Sequence, residues 1–176
     1  MQPHLRHRAW IAFLAVVACR PAADGSEPPD APVSRAPAQT ESVALVRLRP
    51  GDLPFLQNSG LRDSLRTVIR DQAAFAELWA RMYAPYGERP PVPDVDFDRE
   101  MIVAAALGTR SSGGYAIYLD SATIAGDALV VHVRRVEPGP NCGTTQALTE
   151  PVDLARVPRD ARPVRFVEHS AVHQCE

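Results

Sequence analysis

The sequence predicts an α+β domain: a mostly antiparallel β-sheet of about six to eight strands, sandwich-like or open, with one helix packed on it. Three observations carry this reading. Met101 to Leu107 (MIVAAAL) is a nearly continuous apolar run stopped by Gly108, the pattern of a strand covered on both faces. Other runs, such as Leu65–Arg70 and Leu129–Val136, place apolar residues at alternate positions and are bounded by Gly, Pro or Asp. A single stretch, Gln72 to about Tyr83, carries its apolar residues at helical spacing.

The chain opens on an address. Arg6 and Arg8 give a positive start, and Ala9–Ala18 (AWIAFLAVVA) is an apolar run. It is short of the roughly 20 residues a membrane-spanning helix needs. It ends in Val16-Val17-Ala18-Cys19, which resembles the lipobox of bacterial lipoproteins. The resemblance implies a signal peptide over 1–18 and lipidation at Cys19. The alternative is an ordinary secretory signal cleaved after Ala18. In both cases the expected location is the bacterial cell envelope, and with Cys19 acylated the domain is held to a membrane in the periplasm or extracytoplasmic space. Residues 19–40 are rich in Pro, Ala, Asp and Ser without apolar periodicity, so they read as a disordered tether. The folded domain is expected over 41–176, a size that suits one core.

Within it, Val43–Leu48 (VALVRL) reads as a first strand ended by Arg49-Pro-Gly-Asp52, and Gln57–Gly60 reads as a turn. Leu65–Arg70 is a second strand. Asp71 is the expected N-cap of the helix, whose stripe is Phe75, Leu78, Trp79 and Met82. That stripe belongs against the sheet. Tyr86–Pro93 is loop, and Asp94, Asp96 and Asp98 form a solvated approach to the central strand, with Phe97 turned inward. Tyr115, Ile117 and Leu119 alternate along the next strand, with a hairpin connection expected from Gly108 to Gly114. Ala125-Gly126-Asp127 marks a hairpin into Leu129–Val136. Val152–Val157 and Val164–Val167 are the closing strands.

Composition excludes some chemistry. The net charge is −2 with signs mixed along the chain, so there is no nucleic-acid footprint. All nineteen basic residues are arginine, which removes Schiff-base chemistry. No GxSxG elbow, P-loop, HExxH or dinucleotide fingerprint occurs. No catalytic residue, metal or cofactor is assigned. His169, His173 and Cys175 have the look of metal ligands, but in an exported chain Cys142 and Cys175 are better read as a disulfide that stops the last strand fraying. His132 reads as a rim histidine.

One loop stands out as a contact point: Thr109, Arg110, Ser111, Ser112, Gly113, Gly114 and Tyr115. Two glycines, two serines and a cation on a rigid scaffold offer backbone amides and an adaptable shape. The FAELW helix core, the apolar strand into Leu107-Gly108 and the Gly113-Gly114-Tyr115 opening of the next strand together resemble the C-terminal domain of the protease complex subunit PrcB, over roughly Val68 to Val136. This resemblance implies an exported, non-catalytic accessory domain with a protein partner, a protease in the founding case. Ser111–Tyr115 is also similar in shape to the cleft-entering loop of chagasin-type cysteine protease inhibitors, which makes inhibition the alternative function.

Overall fold

The computed structural model describes residues 40–48 and 57–175. The leader, Cys19, the tether up to residue 39 and the Arg49–Asp52 break therefore lie outside the described residues. In chain order the elements are β1 (Glu41–Val43), β2 (Val46–Arg47), β3 (Leu65–Ile69), α1 (Gln72–Met82), β4 (Glu100–Ala106), β5 (Ala116–Ala125), β6 (Ala128–Pro138), β7 (Val152–Pro158) and β8 (Val164–His173). They build two four-stranded sheets, ordered β1-β5-β6-β8 and β2-β7-β4-β3. The sheets face each other across one apolar core, and α1 covers the outer face of the second sheet across another. The α+β fold with one helix on a sandwich is thus the one the sequence predicts.

β4 explains the layering. Met101, Val103, Ala105 and Leu107 point into the inter-sheet core, while Ile102, Ala104 and Ala106 point at the helix layer. A strand wetted on neither face needs apolar residues at every position, hence MIVAAAL. Its pairing with β3 and β7 is antiparallel. Helix α1 starts where expected, because the Asp71 side chain accepts the Ala74 N–H at 2.9 Å. Phe75, Leu78, Trp79 and Met82 are all buried. Trp79 donates its indole N–H to the Pro90 carbonyl at 3.0 Å, and Phe97 packs its ring edge-on to Phe75.

Four expectations are corrected. Val43–Leu48 is not one strand. It breaks at Ala44–Leu45, and β1 pairs with β5 in one sheet while β2 pairs with β7 in the other. Val43 and Leu45 both pack on the inter-sheet core, so the chain crosses between layers while keeping its apolar side inward. Gly108–Gly114 is not a hairpin connection either. β4 and β5 belong to different sheets, and the loop carries the chain from one to the other. The last strand runs on to His173 rather than stopping at Val167, and it lies parallel to β6. Side-chain alternation gives a strand's period but not its direction, which here follows from residues 159–163 returning the chain to the far edge of the first sheet. The fourth correction concerns the amides of the suspected loop, described below. The β5–β6 hairpin forms as read, with Gly126 at φ 62°.

Candidate functional site

The loop from Thr109 to Tyr115 is a brace. Three of its seven backbone amides are used inside the protein. Thr109 N–H donates to Arg62 O at 2.9 Å, Arg110 N–H to Thr149 O at 2.7 Å, and Gly113 N–H to Thr145 O at 3.0 Å. The expectation of a loop offering its amides to a ligand is corrected at these three positions. The loop meets residues 145–149 through an isolated antiparallel bridge between Arg110 and Thr149, closed on the return side by Thr149 N–H to Arg110 O at 3.0 Å, with Thr149 Oγ1 donating to Ser112 O at 2.8 Å. Ser112 Oγ donates to the Gly113 carbonyl, Ser111 is exposed, and the Arg110 guanidinium lies over the Tyr115 ring at 5.9 Å.

The two glycines are there for room. A Cβ on Gly113 would lie 2.5 Å from Thr145 Oγ1, and one on Gly114 would lie 2.9 Å from Pro138 Cβ. Gly114 also has φ 88°, which an L side chain rarely adopts. Beneath the loop, Glu150 ties three segments together. It accepts the Gly60 N–H at 2.9 Å and the Thr109 hydroxyl at 3.3 Å, while its carbonyl takes the hydroxyl of the buried Ser59 at 2.7 Å.

What the brace encloses is a groove of about 600 Å³. Tyr115, Ala116 and Tyr118 at the start of β5 and Val136 on β6 supply apolar surface. Gly113, Gly114 and the 145–149 segment form a wall, with Gln57, Asn58 and His173 completing the lining. On that wall Leu148 is 68% exposed, the most solvent-accessible large apolar side chain among the described residues. The expected disulfide is present: Cys142 and Cys175 are joined, with Cα atoms 5.1 Å apart. It links the root of the wall to the end of β8, next to His173.

The remaining sequence candidates are dispersed. His132 Nε2 is 3.3 Å from Thr123 Oγ1, and His169 Nε2 is 3.7 Å from Asp120 Oδ2. Cys175 is taken by sulfur, and among the described residues no three His, Cys, Asp or Glu side chains gather as metal ligands. Asp96 accepts the Asp98 N–H at 3.1 Å and shapes the turn into β4.

Two functional-looking features escaped the sequence reading. Leu148 and the 145–149 wall lack periodicity, so nothing in the sequence placed them beside Tyr115. The other is an ion cluster spanning both sheets. Asp153, only 5% exposed on β7, accepts Arg47 Nε at 3.1 Å and the Leu119 N–H at 2.8 Å. Arg47 Nη2 in turn donates to Leu119 O at 2.7 Å and stands 3.9 Å from Asp120. Here β5 shifts register between Leu119 and Ser121, and this cluster satisfies the backbone groups of Leu119 that no neighbouring strand takes. Burial pushes the Asp153 carboxyl above its ordinary range, against the lowering effect of the Leu119 amide and Arg47. A lone aspartate inside VDLARV is the signal that could have found it.

Fold and site together define an α+β sandwich with a braced, apolar-floored groove at one end. Residues 101–158, from β4 through β7, match the family described as PrcB C-terminal, and over that stretch the chain is PrcB C-terminal-like. The matched span takes in the whole loop and the groove wall. It starts after the helix core that contributed to the resemblance and runs past Val136 to the end of β7. No curated protein and no solved structure matches the chain.

Proposed function

We propose that this chain is an exported, lipid-anchored accessory module that binds a protein partner, an envelope or secreted protease, without catalysing a reaction itself. Cys19 is the anchoring residue, residues 19–40 are the reach between membrane and domain, and the groove bounded by Thr109–Tyr115 is the contact site. The observation that carries the reading is the PrcB C-terminal match falling on the segment that builds this groove. The makeup of the groove supports binding by shape: an apolar floor with two tyrosines, an exposed Leu148, and amide and hydroxyl groups along the rim. The lipobox-like Val16–Cys19 supports the anchor.

The test is cross-linking mass spectrometry on intact cell envelope, with wild type and a Leu148→Arg variant. Leu148 is exposed, so the arginine leaves the core untouched while placing a charge at the groove mouth. A protease cross-linked to wild type and lost from the variant is the expected result. The same neighbours in both strains would remove the groove from the account, and neighbours that include no protease would remove that partner. Inhibition of a papain-like protease by the purified domain would instead favour the inhibitor alternative, with Ser111–Tyr115 as its inserted loop.

A further inference from the structure

The Cys142–Cys175 bridge stands where it controls the groove more than the core. Cys142 begins the wall: the next residues include Thr145, Ala147, Leu148 and Thr149, all groove-lining. Cys175 lies two residues past the end of β8, the strand that brings His173 to the same groove. The two ends are further knitted by Gly139 N–H to His173 O at 2.8 Å and Cys142 N–H to Gly139 O at 3.1 Å, and the Cys142 sulfur lies 3.3 Å from that His173 carbonyl.

Between Cys142 and Thr149 the wall is held lightly. Gly143, Thr145, Gln146, Ala147 and Leu148 are exposed. The one backbone hydrogen bond that ties this stretch to the brace is Gly113 N–H to Thr145 O, at 3.0 Å. The firm attachments lie at its ends: the Thr149–Arg110 pair and the disulfide. The inter-sheet core, by contrast, is built from β4, β5, β6 and β7 residues with neither cysteine among them. Both cysteines are half-buried, so a reductant can reach the sulfurs.

We propose that this disulfide is a redox-sensitive latch on the groove. Oxidised, it holds the 143–148 wall and His173 in place; reduced, it frees the wall while the sandwich stays folded, and the partner is released. The reductant is a dithiol. One of its thiolates attacks a bridge sulfur and expels the other as thiolate, giving a mixed disulfide. The dithiol's second sulfur then displaces the protein sulfur. The dithiol ends as a disulfide, and Cys142 and Cys175 end as thiols carrying its two protons. The partner half of this inference rests on the function proposed above, but the latch itself does not.

The full chain, oxidised and after treatment with dithiothreitol, is followed by hydrogen exchange and by capture of cross-linked neighbours from membranes. On reduction, amides in 139–148 and 172–175 are expected to exchange about tenfold faster or more, with β4 and β7 still protected. Capture of the partner is expected to fall by a similar factor. A Cys142→Ser, Cys175→Ser double variant should behave like the reduced protein, and because wild type is reduced after folding, the test survives if that variant does not fold. Unchanged exchange in the wall overturns the latch, as does loss of protection throughout the sheet. Capture that is equal in both redox states overturns the control of binding alone. Capture in neither state overturns both that control and the partner proposal, while the exchange data still decide the latch.

Discussion

Alanine substitutions at three glycines separate the reasons for glycine in this chain. At Gly114 two penalties combine. Its φ of 88° lies where an L residue pays about 1 to 2 kcal/mol. The new methyl would also sit 2.9 Å from Pro138 Cβ and 3.1 Å from Thr144 Cγ2, and overpacking of that kind costs about 1 to 3 kcal/mol. Gly114→Ala should therefore destabilise by about 2 to 5 kcal/mol. At Gly126 only the first penalty applies, because φ is 62° and nothing lies within 4 Å of the added carbon, so the expected loss is about 1 kcal/mol. Gly143 has open space and a backbone outside the left-handed region, and alanine there should stay within about 0.5 kcal/mol of wild type. Urea unfolding followed by tryptophan fluorescence gives the three values. Thermal melts check them, at about 4 °C per kcal/mol for a domain of this size. If Gly114→Ala costs no more than Gly126→Ala, the loop does not pack beneath Pro138 and Thr144, and the brace is wrong.

Three further outcomes are expected. Trp79→Ala empties the centre of the helix–sheet layer and strands the Pro90 carbonyl, so it should cost about 3 to 5 kcal/mol in the same urea assay; a loss under about 1 kcal/mol would contradict the burial of α1. Asp153 holds its proton more tightly folded than unfolded, so it favours folding most at low pH, and that contribution is lost as pH rises from the ordinary aspartate range through its raised folded value. Wild type compared with Asp153→Asn should accordingly lose relative stability with rising pH across that window and stay level above it, and a relative gain would reverse the assignment. Cys19→Ser should move the protein from the membrane to the soluble fraction on centrifugation, and a variant that stays with the membrane would refute lipidation at that residue.

Much of the fold was legible in the sequence, and the particular residues show why. Asp71 followed by Phe75, Leu78, Trp79 and Met82 encodes a cap and a stripe within a dozen positions, so local rules suffice for α1. MIVAAAL announces a strand with two covered faces, and Ala125–Asp127 announces the β5–β6 hairpin, again locally. The cysteine pair was readable by elimination from the expectation of export, and it is joined in the structure. The site was less legible. Gly113, Gly114 and Tyr115 could be singled out, but not the fact that the carbonyls of Thr145 and Thr149 take two of the amides the loop was expected to offer. Those partners lie more than thirty positions away, in a segment with no period to read.

The sequence by itself determined most of the elements, their faces and the sulfur pair, because each follows from interactions between residues near in the chain or from counting. Only the tertiary structure decided that Val43–Leu48 divides between two sheets, that β8 runs parallel to β6, and that a glycine loop becomes one wall of a groove. Those outcomes depend on which layer a connection reaches and which distant backbone fills an open hydrogen bond. Alternation of side chains carries neither piece of information, since a strand reads the same in either direction and beside any neighbour.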